Sequence, residues 1–402
     1  GVGSYAEMRD RFLEIGDMTR SAFDRAVLEP KVTREDMLEK VSQPLAVPVS
    51  KPSASSGSST STGGSSFGNG TAAAKKDVMR KHMTRVISET LSEHPNAIYI
   101  GEDVEHGGYY LVTEKLSNRF PSRVCDFPPD ETTLLGAAIG YSQLGLIPIV
   151  EIPYAKYLDC GADMFFEAAI QNWLTGGTCP NGMIIRLQGF DRGTFGGNFH
   201  THNSLQLPPG VDVLCYSNGE DYVKGFRNAL LQAKAGRIVM LVDSTALLNL
   251  RHLHGKDRGW ERTYPENEDE MMGFHDIRCY GTKGKIAIIS YGNGVVTSLR
   301  ARQLLLDENK ILEHDVDVID CPYISDVPDS LKEVMSSYDR VIFADVCKEG
   351  QNPFAGMVVK LRKEGLLPKT WNCVTAPKTY NPLGSVVTFL NVEDVTAAIL
   401  GK

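Results

Sequence analysis

The sequence predicts an α/β protein with two consecutive parallel-sheet domains, and three observations support this fold class. The chain has 402 residues, which is enough for two or three domains at roughly 100–200 residues each. Beyond residue 76, apolar runs of strand length alternate with helical patterns, as is typical of βαβ units around a sheet buried on both faces. No run approaches the ~20 apolar residues of a transmembrane helix.

The composition excludes several classes of function. Lys and Arg total 42, Asp and Glu total 50, and the formal net charge is −8, so the sequence shows no basic footprint for nucleic acid or an anionic membrane. The eight cysteines are scattered without a C-x-x-C pair. This pattern argues against a structural zinc site or a disulfide framework and favours a reducing compartment. We therefore expect an intracellular protein.

Residues 1–43 are predicted to form a short helical arm. Apolar residues recur there at helical spacing until Pro30, and Thr33 with Asp36 has the capping-box pattern of a second helix. So few residues make a poor core alone. We expect the arm to dock on a larger body, and an independent binding module is the alternative.

Residues 44–76 are predicted to be a disordered Ser/Gly/Pro linker. Ser supplies nine of the seventeen residues from Ser50 to Ser66. Such a stretch cannot bury enough apolar surface to offset its ordering entropy. The linker therefore marks the boundary between the arm and the sheet domains.

The first sheet domain is predicted to span residues 77–270. Its apolar runs of strand length are IYIG (98–101), IPIVEI (147–152), MIIRL (183–187), VDVLCY (211–216) and RIVMLVD (237–243). The intervening stretches carry helical spacing at 78–93, 131–145, 160–175 and 220–234. The polar stretch 252–270 separates this domain from the next one.

The second sheet domain is predicted to span residues 271–402. Its predicted strands are IAIISYG (286–292), VDVIDC (316–321), RVIFADV (340–346) and WNCVTA (371–376). Helical patterns fill 294–308, 328–337 and 355–364. The alternation again indicates a parallel sheet.

Two acidic turns follow predicted strands, where ligands bind in open α/β sheets. The first is Gly101-Glu102-Asp103-Val104, which is followed by a pair of glycines. The second ends at Glu131, where a helix rich in small residues begins. A carboxylate at this point has two open interpretations, capping of the helix and a functional role.

A glycine-rich loop from Gly189 to Ser204 contains His200 and His202. Such a loop after a buried strand is typical of an active site, with packing as the alternative. The two histidines complete no zinc ligand set, so we predict no metal ligands. The chain also has no G-x-G-x-x-G after a strand, no G-x-x-x-x-G-K-[ST] and no G-D-G motif with a distant Asn. The absence of these three motifs predicts that the chain has no phosphate site of its own.

From about Lys75 to its end, the chain resembles the beta subunit of the decarboxylating component of 2-oxo acid dehydrogenase complexes. The resemblance rests on the order and spacing of three segments, GEDV-x-x-GG (101–108), a Pro-x-x-Glu turn before the small-residue helix (128–140) and EIPYAKY (151–157). It implies a transketolase-like pyrimidine-binding domain followed by a transketolase C-terminal domain.

The resemblance implies roles for four side chains in binding thiamine diphosphate. Glu131 matches the glutamate that hydrogen-bonds the pyrimidine ring of this cofactor. Tyr157 matches the aromatic residue that packs against the same ring. Glu102 and Glu151 are similar to acidic residues that line the cavity between paired active sites.

The resemblance also implies a reaction, the oxidative decarboxylation of a branched-chain 2-oxo acid or pyruvate with acyl transfer to a lipoyl domain. His202 best matches the histidine that assists this transfer, and His200 matches its neighbour, so the choice between them stays open. A non-catalytic scaffold with a transketolase-like fold is one alternative function. A transketolase-type or acetoin-cleaving enzyme is another.

The implied partners are an alpha subunit or alpha domain, a lipoyl-bearing acyltransferase core and further copies in an alpha2beta2-like assembly. The alpha part is expected to hold most of the Mg²⁺ site. The resemblance also implies a structural potassium ion. The arm weakly resembles the tail of an alpha subunit, which suggests an alpha–beta fusion. The implied location is the mitochondrial matrix in a eukaryote or the cytoplasm in a bacterium.

Overall fold

The computed structural model falls into two units, Gly1–Ser42 and Gln43–Lys402. The residues it describes are 3–40, 46–49, 75–190, 192, 203–205, 207–380 and 388–402. None of the helices in these ranges combines the length and the apolar character that crossing a bilayer requires.

The N-terminal unit contains two helices, α1 (Tyr5–Leu28) and α2 (Arg34–Lys40). A capping box starts α1. At the start of α2, the Asp36 N–H donates to the Thr33 hydroxyl at 3.1 Å, and the Thr33 N–H donates to the Asp36 carboxylate at 3.1 Å. This reciprocal pair confirms the predicted capping box. Docking of the arm stays a prediction.

Most of the predicted linker lies outside the described residues, but residues 46–49 are described. The Val47 N–H donates to the side-chain oxygen of Gln232, and the Gln232 amide donates to the Val47 carbonyl, both at 2.8 Å. Near the other end of the linker, β1 (Lys76–Asp77) pairs antiparallel with residues 262–263. These described residues therefore differ from the prediction of disorder, because their backbones have defined partners.

The main unit begins with a six-stranded, fully parallel sheet in the order β3-β2-β4-β5-β7-β6. The strands are β2 (Ala97–Gly101), β3 (Val124–Asp126), β4 (Ile147–Ile152), β5 (Met183–Gly189), β6 (Val211–Leu214) and β7 (Ile238–Ser244), followed by β8 (Arg262–Thr263), which pairs with β1. The helices are α3 (Met79–Glu93), α4 (Leu116–Arg119), α5 (Glu131–Gln143), α6 (Ala162–Leu174) and α7 (Gly219–Lys234). Every residue of β4, β5, β6 and β7 is buried, which explains their unbroken apolar runs.

A five-stranded sheet follows in the order β13-β12-β10-β11-β9. Its strands are β9 (Arg278–Tyr280), β10 (Ile286–Ser290), β11 (Val316–Asp320), β12 (Arg340–Lys348) and β13 (Thr370–Ala376). Its helices are α8 (Asn293–Asp307), α9 (Asp329–Met335), α10 (Phe354–Lys363) and α11 (Val392–Ile399).

The two-domain α/β prediction is confirmed, with one correction in the second sheet. The edge strand β9 runs antiparallel to β11, so this sheet is mixed rather than parallel. With three residues, β9 is too short for an apolar pattern to reveal it. The buried apolar residues of both sheets form one continuous core, which fixes the two sheets as a scaffold for the loops at their edges.

Candidate active site

The first sheet has a topological switch at β2. The chain passes from β2 to its neighbour β3 and then returns to β4 on the other side of β2. Ligands bind in open α/β sheets at such a switch, outside the carboxyl ends of the strands. Glu102 directly follows β2, and Glu151 lies near the carboxyl end of β4. The fold therefore brings these two predicted site residues to the same edge.

Glu131 is the first residue of α5, but it is not the cap of that helix. The cap is Asp130, whose carboxylate accepts the Thr133 N–H at 3.3 Å. Glu131 is only 7% exposed. The capping interpretation of Glu131 is therefore wrong, because its neighbour fills that role. The buried carboxyl group of Glu131 instead faces Glu102.

Glu102 and Glu131 form a pair of buried carboxyl groups. Glu102 is 6% exposed, and burial, followed by the charge of Glu131 and a hydrogen bond with it, raises the pKa of Glu102 to about 7. The Glu102 Oε1 atom has no hydrogen-bond partner among the described residues. A carboxyl group with a near-neutral pKa and an unsatisfied buried oxygen is typical of a functional site.

We expect the raised pKa of Glu102 to make stability depend on pH. The unfolded side chain releases its proton near pH ~4.3, whereas the folded one holds it until about pH 7. The contribution of this group to stability is therefore present at low pH and is lost as the pH rises through 7.

Urea denaturation of the wild type and Glu102→Gln, at about pH 5.5 and about pH 8.5, isolates this contribution. The wild type should lose roughly 2 kcal/mol relative to the variant over this range, because glutamine keeps the neutral form. A stability difference that is the same at both pH values would contradict the raised pKa.

An aromatic cluster lies beside the carboxyl pair. Tyr157, on the short 3₁₀ turn Ala155–Asp159, packs edge-on against Tyr154 with ring centroids 5.4 Å apart. Tyr109 also packs against Tyr154, with ring centroids 5.1 Å apart. Burial, and then the charge of Glu102, raises the pKa of the Tyr109 hydroxyl. Tyr157 thus lies within an aromatic cluster at the predicted site, where Tyr109 and Tyr154 were not predicted.

Glu151 belongs to a buried ionic network beneath the site. Its Oε2 accepts from Arg186 Nη1 at 2.6 Å and from the Tyr99 hydroxyl, and its Oε1 accepts from Gln188 Nε2 at 2.7 Å. Arg186 also pairs with Asp243 on β7. Since Glu151 is 1% exposed and both of its oxygens are engaged, it ties β2, β4 and β5 together. Its predicted role in lining a cavity stays a prediction.

The paired glycines of the acidic turn have a structural reason. Gly107 and Gly108 have φ values of +115° and +66°, a region that favours glycine. A Cβ atom at Gly108 would also lie 2.7 Å from the Glu151 Oε1 atom. Glycine therefore lets the turn that carries Glu102 lie directly against the buried network.

His200 and His202 lie outside the described residues, so their predicted roles stay predictions. The described residues near them contact the second domain. Arg192 donates to the Thr297 hydroxyl at 2.8 Å, and the Asn203 amide donates to the Val346 carbonyl at 2.8 Å. The described residues Arg192 and Asn203, which flank the histidines in the sequence, thus both contact the second domain.

Three exposed side chains at the ends of β2 and β3 come together. Asp103, His106 and Asp126 offer ligand atoms within 4.8 Å of one another. The sequence did not predict this group. Exposed acidic side chains often cluster without an ion, and we assign no metal to them.

Comparison with known families gives this geometry its context. Residues 75–249 match the model of the transketolase pyrimidine-binding domain. This part of the chain is similar to the transketolase pyrimidine-binding domain. The match includes all six strands of the parallel sheet, and the carboxyl pair lies at the switch point of the matched region.

Curated relatives are similar to this chain over different lengths. The pyruvate dehydrogenase E1 component subunit beta of Staphylococcus epidermidis is 28% identical over 280 residues, or 66% of this chain and 77% of that one. The acetoin:2,6-dichlorophenolindophenol oxidoreductase subunit beta of Cupriavidus necator is 24% identical over 68% of this chain and 80% of that one. The 2-oxoisovalerate dehydrogenase subunit beta of Pseudomonas aeruginosa is 33% identical over 116 residues, 28% of this chain and 33% of that one.

A solved structure confirms the fold. The chain described as "Split gene transketolase, inactive beta4 tetramer" aligns with a TM-score of 0.58 at 14% identity, covering 81% of this chain and 98% of that one. The family resemblance found in the sequence is therefore confirmed. The chain is similar to beta subunits named for pyruvate dehydrogenase, acetoin oxidoreductase and 2-oxoisovalerate dehydrogenase.

Proposed function

We propose that this chain is the beta part of a 2-oxo acid dehydrogenase and acts with an alpha part in oxidative decarboxylation. One observation carries the proposal. Glu131 is buried at the switch point, is not used as a helix cap, and faces a second carboxyl group whose pKa is near neutrality. A non-catalytic scaffold has no need of such a pair, because burying carboxyl groups costs stability.

The residues of this site fit the pyrimidine side of thiamine diphosphate. When bound, this cofactor supplies a carbanion that attacks the oxo group and holds the electrons left by decarboxylation. Glu131 would hold the pyrimidine ring by a hydrogen bond, and Tyr157 would orient the ring by packing. Glu102 would keep a proton within reach of Glu131, and the unsatisfied Glu102 Oε1 atom would accept a hydrogen bond from the bound complex.

The diphosphate and its Mg²⁺ are proposed to bind mainly to the alpha part. Mg²⁺ takes phosphate oxygens and a few protein oxygens as ligands, and the G-D-G motif with its distant Asn is not in this sequence. The cofactor would then lie at an interface between this chain and the alpha part. Assembly with a lipoyl-bearing core and with further copies belongs to the same proposal.

The proposed substrate is a branched-chain 2-oxo acid or pyruvate. Relatives named for pyruvate and for 2-oxoisovalerate both support it. A pocket discriminates one methylene by only ~1–3 kcal/mol, so both acids belong to the proposal. His202, with His200 as its neighbour, is proposed to assist acyl transfer to the lipoyl group.

Acetoin cleavage is the second candidate, and the similarity to the Cupriavidus necator subunit supports it. It uses the same carboxyl pair with a different substrate. It predicts turnover of acetoin with an artificial electron acceptor, without a need for a lipoyl domain.

The experiment that tests these functions is an assay of the chain with an alpha part, Mg²⁺ and thiamine diphosphate. Pyruvate, 2-oxoisovalerate and acetoin are each supplied with a dye acceptor and then with a lipoyl domain. We expect turnover of at least one 2-oxo acid and acylation of the lipoyl domain. Turnover of acetoin alone would support the second candidate, and no turnover with any of the three would contradict both.

A further inference from the structure

An open cavity of about 590 Å³ lies between the loop after β7 and helix α8. Its walls are residues 249–255 and Arg300. This volume is typical of small-molecule sites, which are ~300–1,000 Å³. The walls include two arginines and two histidines, which are Arg251, His252, His254 and Arg300. Side chains of this kind donate hydrogen bonds to anions.

The loop on one side of the cavity is held in place by hydrogen bonds. Asp257 accepts the N–H groups of Leu253 and His254, both at 3.0 Å, and that of Gly259 at 2.8 Å. From the other wall, Arg300 Nε donates to the Leu253 carbonyl at 2.9 Å. These hydrogen bonds therefore hold the loop that forms one wall of the cavity, so the side chains on it have fixed positions.

Arg300 donates its hydrogen bonds to the Leu253 and His252 carbonyls rather than to a carboxylate. It is half-buried and forms no ion pair with any residue in the described ranges. Burial lowers the pKa of Arg300, and the charge of Asp257 opposes this effect from a distance. The carboxylate oxygens of Asp257 already accept N–H groups of the loop. A desolvated guanidinium without a counter-ion costs stability unless an anion binds to it.

A second guanidinium of this kind lies nearby. Arg192 donates to two neutral acceptors, the Thr297 hydroxyl at 2.8 Å and the Asn391 side chain. Burial lowers the pKa of Arg192, and the charge of Arg300 lowers it further. Carboxylates at the start of α11 act on Arg192 through space, but among the described residues none forms an ion pair with it. Arg192 is not a wall residue of the cavity, and its charge adds to the positive potential near Arg300.

We propose that this cavity binds a phosphate-bearing small molecule. A phosphoryl group carries a charge of about −1.5 to −2 near neutral pH, which suits a wall that holds the Arg300 guanidinium and two histidines, with the charge of Arg192 nearby. Arg251, also in the wall, is already paired with Glu261 at 2.7 Å. His252 is placed to assist, since its Nδ1 accepts the Arg258 N–H at 2.9 Å, which leaves the Nε2 hydrogen free to donate. Such a site has no glycine-rich phosphate motif, because its donors come from two separate segments, the loop 249–255 and helix α8. The inference is independent of the proposed decarboxylation.

Calorimetric titration of the full chain with inorganic phosphate and with pyrophosphate, at constant ionic strength, tests the proposal. We expect millimolar or tighter binding of at least one probe, weakened about tenfold or more in Arg300→Gln. The matched control is Arg302→Gln on the same helix, whose side chain donates to the Glu313 carbonyl at 2.7 Å outside the cavity walls. This control should bind like the wild type.

His252→Gln, which leaves both guanidiniums in place, should also weaken binding and serves if Arg300→Gln does not fold. Succinate is titrated in parallel to separate phosphate from carboxylate recognition. The absence of binding of both phosphate probes would overturn the proposal. So would equal binding by the wild type and both cavity variants, or preferred binding of succinate.

Discussion

Glu131→Gln should remove most turnover of the complex formed with an alpha part and should leave the fold intact. Glutamine fills a similar volume and still hydrogen-bonds Glu102, but it cannot hold a negative charge or exchange a proton. Loss of a positioned acid–base group typically costs ~10²–10⁴-fold in rate. We therefore expect at least about a hundredfold loss, equivalent to roughly 3 kcal/mol of transition-state stabilisation.

The matched control for this variant is the neighbouring cap, Asp130→Ala. It removes the carboxylate that accepts the Thr133 N–H and should lower the free energy of unfolding by about 1 kcal/mol, with turnover largely kept. Glu131→Gln should therefore lower the rate but not the stability, and Asp130→Ala should lower the stability but not the rate. Steady-state rates and thermal unfolding of both proteins check this. If Glu131→Gln keeps more than about a tenth of the wild-type rate, its carboxylate is not part of the chemistry.

Arg186→Met should be among the most destabilising substitutions in the chain. The guanidinium is fully buried between Glu151 and Asp243. Without it, two buried carboxylates face each other with no cation between them. Removing one partner of a buried ionic network costs roughly 3–5 kcal/mol. Urea denaturation of the wild type and the variant measures this loss.

An exposed pair provides the contrast for Arg186→Met. Lys360 contacts Asp326 at 2.6 Å on the surface, and Lys360→Met should cost less than about 1 kcal/mol. Adding Asp243→Asn to Arg186→Met should restore part of the lost stability, because one unpaired charge is then removed. A loss below about 1 kcal/mol for Arg186→Met would show that the network contributes little to folding.

The sequence predicted the elements whose pattern follows from burial on both faces. The runs around Ile149, Ile185 and Met240 are buried strands, as their apolar composition indicated. The short strands Val124–Asp126 and Arg278–Tyr280 were missed because three residues hold no periodic pattern. Helix α11 was also missed, although its capping box between Asn391 and Asp394 is a signal the sequence contains.

At the site, the sequence could name residues but could not assign their local contacts. Asp130 and Glu131 are adjacent acids, and only the backbone geometry shows which one caps the helix. The raised pKa of Glu102 comes first from burial and then from Glu131, which is close in space but distant in the chain. The buried network around Arg186 is indicated by the sequence itself, because this residue is the one charge in an apolar strand. A single charge inside an apolar strand has to find a buried partner.

If this chain holds only the pyrimidine side of thiamine diphosphate, it should bind the cofactor poorly alone. Calorimetric titration with thiamine diphosphate and Mg²⁺ tests this division directly. We expect the chain alone to show no binding tighter than about 100 μM, and the complex with an alpha part to bind at least about a hundredfold more tightly. Submicromolar binding by residues 1–402 alone would contradict a cofactor site shared between two parts.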